Sequence, residues 1–315
     1  KGDLNPFAIG CYTSMKTLKQ ALYKLEHRYF TTEKFLSLDS VNGVQNYPAT
    51  KMEEALKELL FCQFHDILAG TSIQPVEKDV LQRIGHATRI IEDQFASFII
   101  RTGNSLKIAD DGEFPIMLIN PHPFDIDEIV EMELQLAEPN FDKTKTRIPL
   151  IYNEKGESIP VQSEKPECNI KDDHRKKVVF RANIPAGEVR RYSCFLKDLP
   201  GREFSIFNKK SLTFISTGSK LIFDKNSGFP VSWEYDNNPL LGNEPFRFDV
   251  INDNADPWGM GIKSFDGEAE YFKLMTTPAA SEFAGLPGKE LNKVYISEDG
   301  EVRTIVESLF SYNNS

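Results

Sequence analysis

The sequence predicts an α+β multidomain protein, a three-helix bundle followed by antiparallel β-sandwich-like domains. Two observations indicate this fold class. Apolar residues recur at helical spacing through the first third of the chain, and after Gly103 they alternate with polar residues instead. The 315 residues suffice for about two typical domains, and a hydrophobic content of 40% supports folded cores.

The first two helices are predicted from apolar stripes and from residues typical of helix starts. The first helix runs from Ser14 to about Asp39, a stretch without Gly or Pro, with Thr13 or Ser14 as its N-cap. A capping box at Thr50–Glu53 opens the second helix, which is expected to run into His65.

A third helix is predicted after a turn at Ala69–Thr71. Ser72 is placed to cap it, and Pro75 falls in its first turn, where a missing N–H group is tolerated. The apolar positions of this helix recur every three or four residues, at Val76, Val80, Ile84, Ala87, Ile91, Phe95 and Phe98. Three helices with such stripes are expected to pack as a small bundle.

The remainder of the chain predicts short antiparallel strands. Alternation is clear at Val130–Leu136, weaker at Arg191–Leu196, and present again at Phe246–Ile251. Glu131 and Glu133 fall on the polar side of the first of these strands and are expected to be solvated. Turn-forming pairs rich in Gly, Pro and Asn separate the strands.

We therefore predict three domains. Residues 1–106 form the three-helix middle domain, residues 107–200 a small antiparallel β domain, and residues 201–315 the N-terminal part of a larger β-sandwich domain. The chain starts without Met and stops after a predicted strand, so both ends are expected to lie inside a longer protein.

Composition excludes several classes of partner. The formal net charge is -10, and no basic run stands out beyond Arg175–Lys177, so nucleic acid is not expected. No apolar run has the length of a membrane span, so no membrane partner is expected.

The four cysteines Cys11, Cys62, Cys168 and Cys194 are scattered without a Cys-x-x-Cys pair. That pattern opposes a disulfide framework or thiolate zinc site and favours a reducing compartment, a bacterial cytoplasm.

The segment Gln63–Ser72 contains the main candidate for chemistry, the pair His65-Asp66 directly before a Gly-Thr-Ser turn. From the residues alone, two interpretations stay open. His65 is either a helix C-terminal residue favoured by the helix dipole, or one ligand of a metal site. The other histidines, His27, His86, His122 and His174, fall at solvated positions, and no His-x-His or His-x-x-x-His pair occurs. Any metal site would therefore be completed elsewhere.

Phe61–Ser72, together with Gly10–Ser14 earlier in the chain, resembles the middle region of glycoside hydrolase family 38, the zinc-dependent α-mannosidases. The segments Leu118–Phe124 and Leu221–Gly242 are more loosely similar to that family's β regions. The resemblance implies that His65 binds zinc and that Asp66 contacts substrate hydroxyls. It also implies an α-mannoside or mannose-containing oligosaccharide as substrate.

The same resemblance implies that the other zinc ligands, the nucleophile and the general acid lie on an N-terminal α/β barrel. No His-x-Asp pair and no alternating βα pattern occurs here, so that catalytic barrel is expected to be absent from this chain. The chain is then an interior fragment of a retaining α-mannosidase, in which one carboxylate attacks the sugar and a second carboxyl protonates the leaving oxygen. It is expected to be inactive alone, with the missing barrel as its partner.

Two other functions remain open from the sequence. The chain could be a non-catalytic carbohydrate-binding or scaffolding module that binds sugar through Trp233, Trp258 or Tyr271, with His65 as a helix cap. It could also be a regulatory protein–protein module built on the helical bundle.

A calcium loop is disfavoured. The acidic run with Asp249, Asp253 and Asp256 lacks the Gly and Glu of an EF-hand and predicts a turn-rich loop. In that loop, Trp258 is a candidate for the rim of a sugar site.

Overall fold

The computed structural model describes residues 7–142, 144–166, 173–201, 212–242, 246–252, 255–261, 270–286 and 288–313. The fold class is α+β, which confirms the sequence prediction. The helices are α1 (Lys16–Val41), α2 (Ala49–Cys62), α3 (His65–Leu68), α4 (Gln74–Ser105) and α5 (Thr277–Phe283), preceded by a 3-10 turn at Ile9–Tyr12. Two residues discussed above, Cys168 and Asp253, lie outside the described residues.

Helices α1, α2 and α4 pack around one hydrophobic core, as their apolar stripes predict. The buried residues include Leu18, Leu22, Leu25, Tyr29 and Leu36 of α1, Met52, Ala55 and Leu59 of α2, and Val80, Ile84, Ala87 and Ile91 of α4. Spacings of three and four residues place these side chains on one face of each helix. None of the helices in the described part of the chain combines the length and apolar character needed to cross a membrane.

The predicted N-caps of the first two helices are wrong. Helix α1 begins at Lys16 after Met15, which has a left-handed backbone (φ 49°), and no side chain caps it. The hydroxyl of Ser14 instead lies against the carbonyl oxygen of Pro257, far along the chain. Helix α2 already begins at Ala49, so Thr50 lies inside the helix, where it cannot act as an N-cap.

The predicted cap of α4 is also wrong, although its proline is placed as expected. The N-cap residue is Ile73, and Pro75 lies in the first turn. The hydroxyl of Ser72 donates instead to the backbone oxygen of Asp66. Ser72 therefore closes the turn behind the His-Asp pair rather than starting the next helix.

The first β region is a two-sheet antiparallel sandwich. Its strands are β1 (Glu113–Ile119), β2 (Ile126–Asn140), β3 (Lys145–Tyr152), β4 (Ser158–Ile159), β5 (Val161–Glu164), β6 (Asp173–Ile184) and β7 (Val189–Pro200). One sheet has the order β1-β7-β3-β4 and the other β2-β6-β5. Both sheets contribute to one core, with Ile116, Ile151 and Cys194 from the first and Leu134, Val178 and Phe180 from the second.

The second β region consists of shorter strands. They are β8 (Thr213–Ser216), β9 (Ser219–Phe223), β10 (Pro230–Tyr235), β11 (Asn238–Pro239), β12 (Asp249–Val250), β13 (Glu270–Tyr271), β14 (Lys273–Leu274), β15 (Val294–Asp299), β16 (Thr304–Ser308) and β17 (Phe310–Ser311). A four-stranded sheet runs β11-β10-β9-β8, and the others pair as β12-β13, β14-β17 and β15-β16. The strand predicted at Phe246–Ile251 is reduced to β12. The alternation there reflects aromatic packing, since the ring of Phe248 lies 5.2 Å from that of Phe229.

A charged cluster joins the turn between β15 and β16 to the first β region. Arg303 binds both carboxylate oxygens of Glu164, at 2.7 and 2.6 Å, and one oxygen of Glu131 at 2.6 Å. The hydrogen bond from Arg303 lowers the pKa of Glu131. Glu131 and Glu133 are exposed, as the sequence predicts. Both also form ion pairs that the sequence did not predict, since Glu133 pairs with Arg175 at 3.3 Å.

The three-domain division stays a prediction.

The described cysteines predict a pattern of thiol reactivity. Cys62 and Cys194 are buried and Cys11 is partly exposed. Burial raises the pKa of Cys62 to about 11 and that of Cys194 to about 12. Because the thiolate is the reactive form, we expect iodoacetamide at pH 8 to label Cys11 and spare the other two. Peptide mass spectrometry checks this, and equal labelling of all three would contradict the burial seen here.

Candidate functional site

The His65-Asp66 pair lies on a one-turn helix that is separate from α2. Helix α2 ends at Cys62, and Phe64 has an extended backbone (φ -56°, ψ 140°) before α3 begins at His65. The expectation that the second helix runs into His65 is therefore wrong, and so is a helix C-terminal position for this histidine. Ile67 is the buried residue of α3 and joins the core of the bundle. Burial of Ile67 therefore anchors the short helix α3 to the bundle directly after the end of α2.

The two polar side chains of α3 face away from the core. The side chains of His65 and Asp66 are 79% and 64% exposed, and the distance from His65 Nε2 to Asp66 Oδ1 is 3.4 Å. The ring of Phe64 lies 4.3 Å from the imidazole. The imidazole and the carboxylate are thus exposed side by side on a short helix that is anchored in the core by Ile67.

Large apolar side chains before and after this pair in the sequence are exposed. They are Leu60, Phe61, Phe64, Leu68 and Ile73, each more than a third exposed. We call these residues with His65 and Asp66 the His65 face. A cluster of exposed apolar residues with polar groups among them is typical of a surface that contacts another protein segment or a ligand.

The turn after α3 brings the two sequence motifs into contact. Gly70 has a left-handed backbone (φ 73°), and a Cβ atom added there would lie 2.5 Å from Ser14 O. Lys19 Nζ donates to the same oxygen, at 2.6 Å. Burial lowers the pKa of Lys19. The Gly10–Ser14 turn therefore packs directly against the end of the His65 segment.

A turn of the second β region packs against the other side of Gly10–Ser14. The backbone N–H of Gly10 donates to Trp258 O at 3.1 Å, and the hydroxyl of Ser14 lies 2.8 Å from Pro257 O. The carboxylate of Asp256 accepts from the backbone N–H groups of Trp258 and Met260, at 3.0 and 2.9 Å. Asp256 thus fixes its own turn, as the sequence predicts for a turn-forming residue.

The acidic residues around this turn do not form a calcium site among the described residues. Asp256 is engaged by its own backbone, and Asp249 pairs with Arg247 at 2.7 Å. Within the described ranges, no group of three or more His, Cys, Asp or Glu side chains could hold a metal ion.

His65 could supply one ligand of a zinc site, but the described residues do not supply a complete site. A zinc ion takes three or four protein ligands, commonly neutral imidazoles and carboxylates. His65 supplies an accessible imidazole beside a carboxylate. The described residues supply no such group of three, so further ligands would have to come from outside this part of the chain.

The three aromatic side chains considered for sugar binding lie on separate elements. Trp233 is on β10, where its indole N–H donates to Ser219 at 3.2 Å; Tyr271 is on β13, and Trp258 is in the turn described above. A broad groove of about 1040 Å³ lies elsewhere, in the first β region, lined among others by Asp127, Glu154, Arg181, Arg190 and Tyr192. None of the three aromatic residues lines that groove.

Residues 8–99 match the family model of the alpha mannosidase middle domain. This region is therefore similar to alpha mannosidase middle domains. The match contains both Gly10–Ser14 and Phe61–Ser72, and it confirms the resemblance to glycoside hydrolase family 38 for the helical part of the chain.

Two solved structures share the fold beyond the middle domain. An alpha-mannosidase from Enterococcus faecalis V583 covers 70% of this chain at 13% identity and a TM-score of 0.53, and this chain covers 28% of it. A protein of glycosyl hydrolase family 38 from Enterococcus faecalis covers 85% at 12% identity and a TM-score of 0.60, and this chain covers 35% of it. The chain thus spans about a third of these structures. A comparison with curated protein sequences gave no significant match.

The contacts around the His65 segment could not be predicted from the sequence. Ser14 was expected as a helix cap and Trp258 as an isolated rim residue, whereas both belong to one set of contacts that leads to Gly70. The available signal was a glycine in each of the three segments, Gly10, Gly70 and Gly259, since glycine allows backbones to approach closely.

Proposed function

We propose that this chain is part of a retaining α-mannosidase in which His65 is a zinc ligand and Asp66 binds substrate hydroxyls. The observation that supports this most is the exposed His-Asp pair on α3 of an alpha mannosidase middle domain. The pair is anchored by buried Ile67, and its imidazole and carboxylate are exposed to groups from outside the bundle.

The two side chains suit these roles chemically. A neutral imidazole adds metal affinity without adding negative charge to a site that also contains catalytic carboxylates. Bound zinc would act as a Lewis acid and template for neighbouring sugar hydroxyls. Asp66, adjacent to His65, would accept hydrogen bonds from those hydroxyls. The similarity to alpha-mannosidases supports an α-mannoside or a mannose-containing oligosaccharide as the substrate.

The exposed His65 face is suited to bind a catalytic domain. Its exposed apolar residues favour contact with another protein segment, and the pair lies among them. We propose that this partner is an N-terminal α/β barrel that supplies the nucleophile, the general acid and the remaining zinc ligands. The present chain alone would then be inactive.

A non-catalytic carbohydrate-binding module is the second candidate. Trp233, Trp258 and Tyr271 are 43%, 42% and 47% exposed, and exposed aromatic rings suit the apolar face of a sugar. This function would require sugar binding by the isolated chain without added metal.

The test uses the intact parent protein and the present chain side by side. We expect the parent to contain one zinc ion by elemental analysis and to hydrolyse an aryl α-mannoside. A chelator should remove both zinc and activity, and added zinc should restore them. The present chain should show neither. A parent that hydrolyses the substrate equally well without metal would contradict the zinc role, and a parent without zinc or activity would favour the binding module.

A further inference from the structure

We infer that the turn Asp256–Gly259 of the β region positions the His65-Asp66 pair, acting through Gly10–Ser14. The inference rests on the proposed function, because it names residues that orient the proposed zinc and substrate groups without touching them. Three consecutive contacts lead from the β region to α3, and each leaves little room for displacement.

The first contact joins the β turn to Gly10. A Cβ atom added at Gly10 would lie 2.7 Å from Pro257 O, and one added at Gly259 would lie 2.7 Å from Gly10 N. Real Cβ atoms do not approach so closely, so both positions require glycine for this packing. The hydrogen bond from Gly10 N to Trp258 O, at 3.1 Å, fixes the relative position of the two backbones.

The second contact is made by Ser14, which touches both neighbours. Its hydroxyl lies 2.8 Å from Pro257 O and also 2.8 Å from Gly10 O, so it connects the β turn to the start of its own turn. Its backbone oxygen faces Gly70 and accepts the hydrogen bond from Lys19 at 2.6 Å. A displacement of Ser14 would therefore reach Gly70 directly.

The third contact leads from Gly70 to the His-Asp pair. Gly70 N donates to Ile67 O at 2.9 Å, within the short helix. The Ser72 hydroxyl, two residues further, donates to the backbone oxygen of Asp66. Two contacts therefore hold helix α3 in place. Ile67 packs into the core of the bundle, and the turn after the helix, at Gly70, packs against Ser14.

This arrangement gives the β region a role in the site. Zinc binding is sensitive to ligand orientation, and loss of groups that orient a ligand typically costs about 10–100-fold in metal affinity. Asp256 keeps the β turn rigid through its two backbone hydrogen bonds. The β turn should therefore affect zinc affinity and substrate binding although it supplies no ligand.

The test compares two variants with matched controls in the intact parent protein. Gly10→Ala introduces the clash with Pro257 O, whereas Gly85→Ala adds a methyl group that meets no described atom within 4 Å beyond its neighbours and the backbone of its own helix. Ser14→Ala removes the hydroxyl that reaches Pro257. Thr13→Ala removes a neighbouring hydroxyl whose one hydrogen bond among the described residues is local, to Gly10 O at 3.3 Å. Ser14→Thr keeps the hydroxyl and should restore function.

We expect Gly10→Ala and Ser14→Ala to raise the zinc dissociation constant about 10–100-fold relative to their controls. At saturating zinc, KM for an aryl α-mannoside should rise more than kcat falls. Hydrogen exchange of residues 63–72 should become faster, with thermal midpoints close to those of the controls. If Gly10→Ala does not fold, Ser14→Ala and its rescue by Ser14→Thr decide the question.

Two outcomes would overturn the inference in distinguishable ways. If His65→Ala loses zinc but Gly10→Ala and Ser14→Ala bind it like their controls, the positioning role is wrong and the proposed function stands. If His65→Ala binds zinc as well as the parent does, the proposed function fails and the inference fails with it.

Discussion

Substitution of His65 by alanine in the intact parent protein should remove most of its zinc affinity and its activity. Zinc sites of proteins bind with about 10–16 kcal/mol, so one of about four ligands accounts for about 3 kcal/mol, a loss of about a hundredfold in affinity. The exposed side chain of His65 makes no contribution to the buried core, so the variant should fold normally. Zinc titration in a competing chelator and hydrolysis of an aryl α-mannoside measure the two effects.

His86 provides the matched control. It is also an exposed histidine of the middle domain beside a carboxylate, with Nε2 3.1 Å from Glu54 Oε1. His86→Ala should keep zinc and activity, because His86 pairs with Glu54 of α2 and belongs to neither of the two sequence motifs. Equal losses in the two variants would mean that His65 acts through the fold rather than as a ligand.

Asp66→Asn separates the substrate role from the metal role within the same experiment. The amide keeps the shape of the side chain but loses the charge that strengthens hydrogen bonds from sugar hydroxyls. The variant should therefore keep most of its zinc while kcat/KM falls. Loss of zinc from Asp66→Asn as complete as that from His65→Ala would indicate that Asp66 is a ligand rather than a substrate contact.

Arg303→Met should have the largest effect on stability, a loss of about 3 kcal/mol in the free energy of unfolding. The side chain of Glu164 is 1% exposed, and Arg303 supplies two of its hydrogen bonds. Removal of the guanidinium leaves a buried carboxylate with weaker partners, Lys177 at 3.5 Å and Gln162 at 3.1 Å. Because the pair joins the two β regions, the loss should also loosen their contact.

Arg181→Met is the control for that measurement. Arg181 also binds both oxygens of one carboxylate, Asp127, at 2.8 and 2.9 Å, but both side chains are largely exposed. Exposed ion pairs contribute only about 0–1 kcal/mol because water and salt screen them. Urea unfolding of the two variants measures the difference, and similar midpoints would show that burial of Glu164 adds nothing.

Periodicity predicted the longer elements of this fold. The stripe from Val76 to Phe98 predicted one long helix, and the alternation at Val130–Leu136 predicted a strand with one buried face. The spacing of apolar residues reflects which face of a helix or strand is buried. An element can therefore be predicted from its own sequence, without knowing which element packs against it. Alternation at Phe246–Ile251 misled because aromatic packing produced the same pattern.

The caps and the surroundings of the candidate site could not be predicted in the same way. The hydroxyl of Ser14 has a suitable local role as an N-cap, yet its partner is Pro257. Glu131 has a solvated strand position, yet Arg303 binds it from the second β region. Such contacts depend on how distant segments meet, and nothing in the neighbouring sequence specifies that. His65 was identified only through a motif, since its position on α3 contradicted the helix expected there.

The central claim is that His65 binds the zinc ion of an α-mannosidase, and anomalous diffraction at the zinc edge from crystals of the intact parent protein tests it most directly. We predict a single anomalous peak about 2.0–2.1 Å from a ring nitrogen of His65, with its other ligands outside the present chain. A zinc peak remote from an uncoordinated His65, or an active enzyme without any zinc peak, would contradict it.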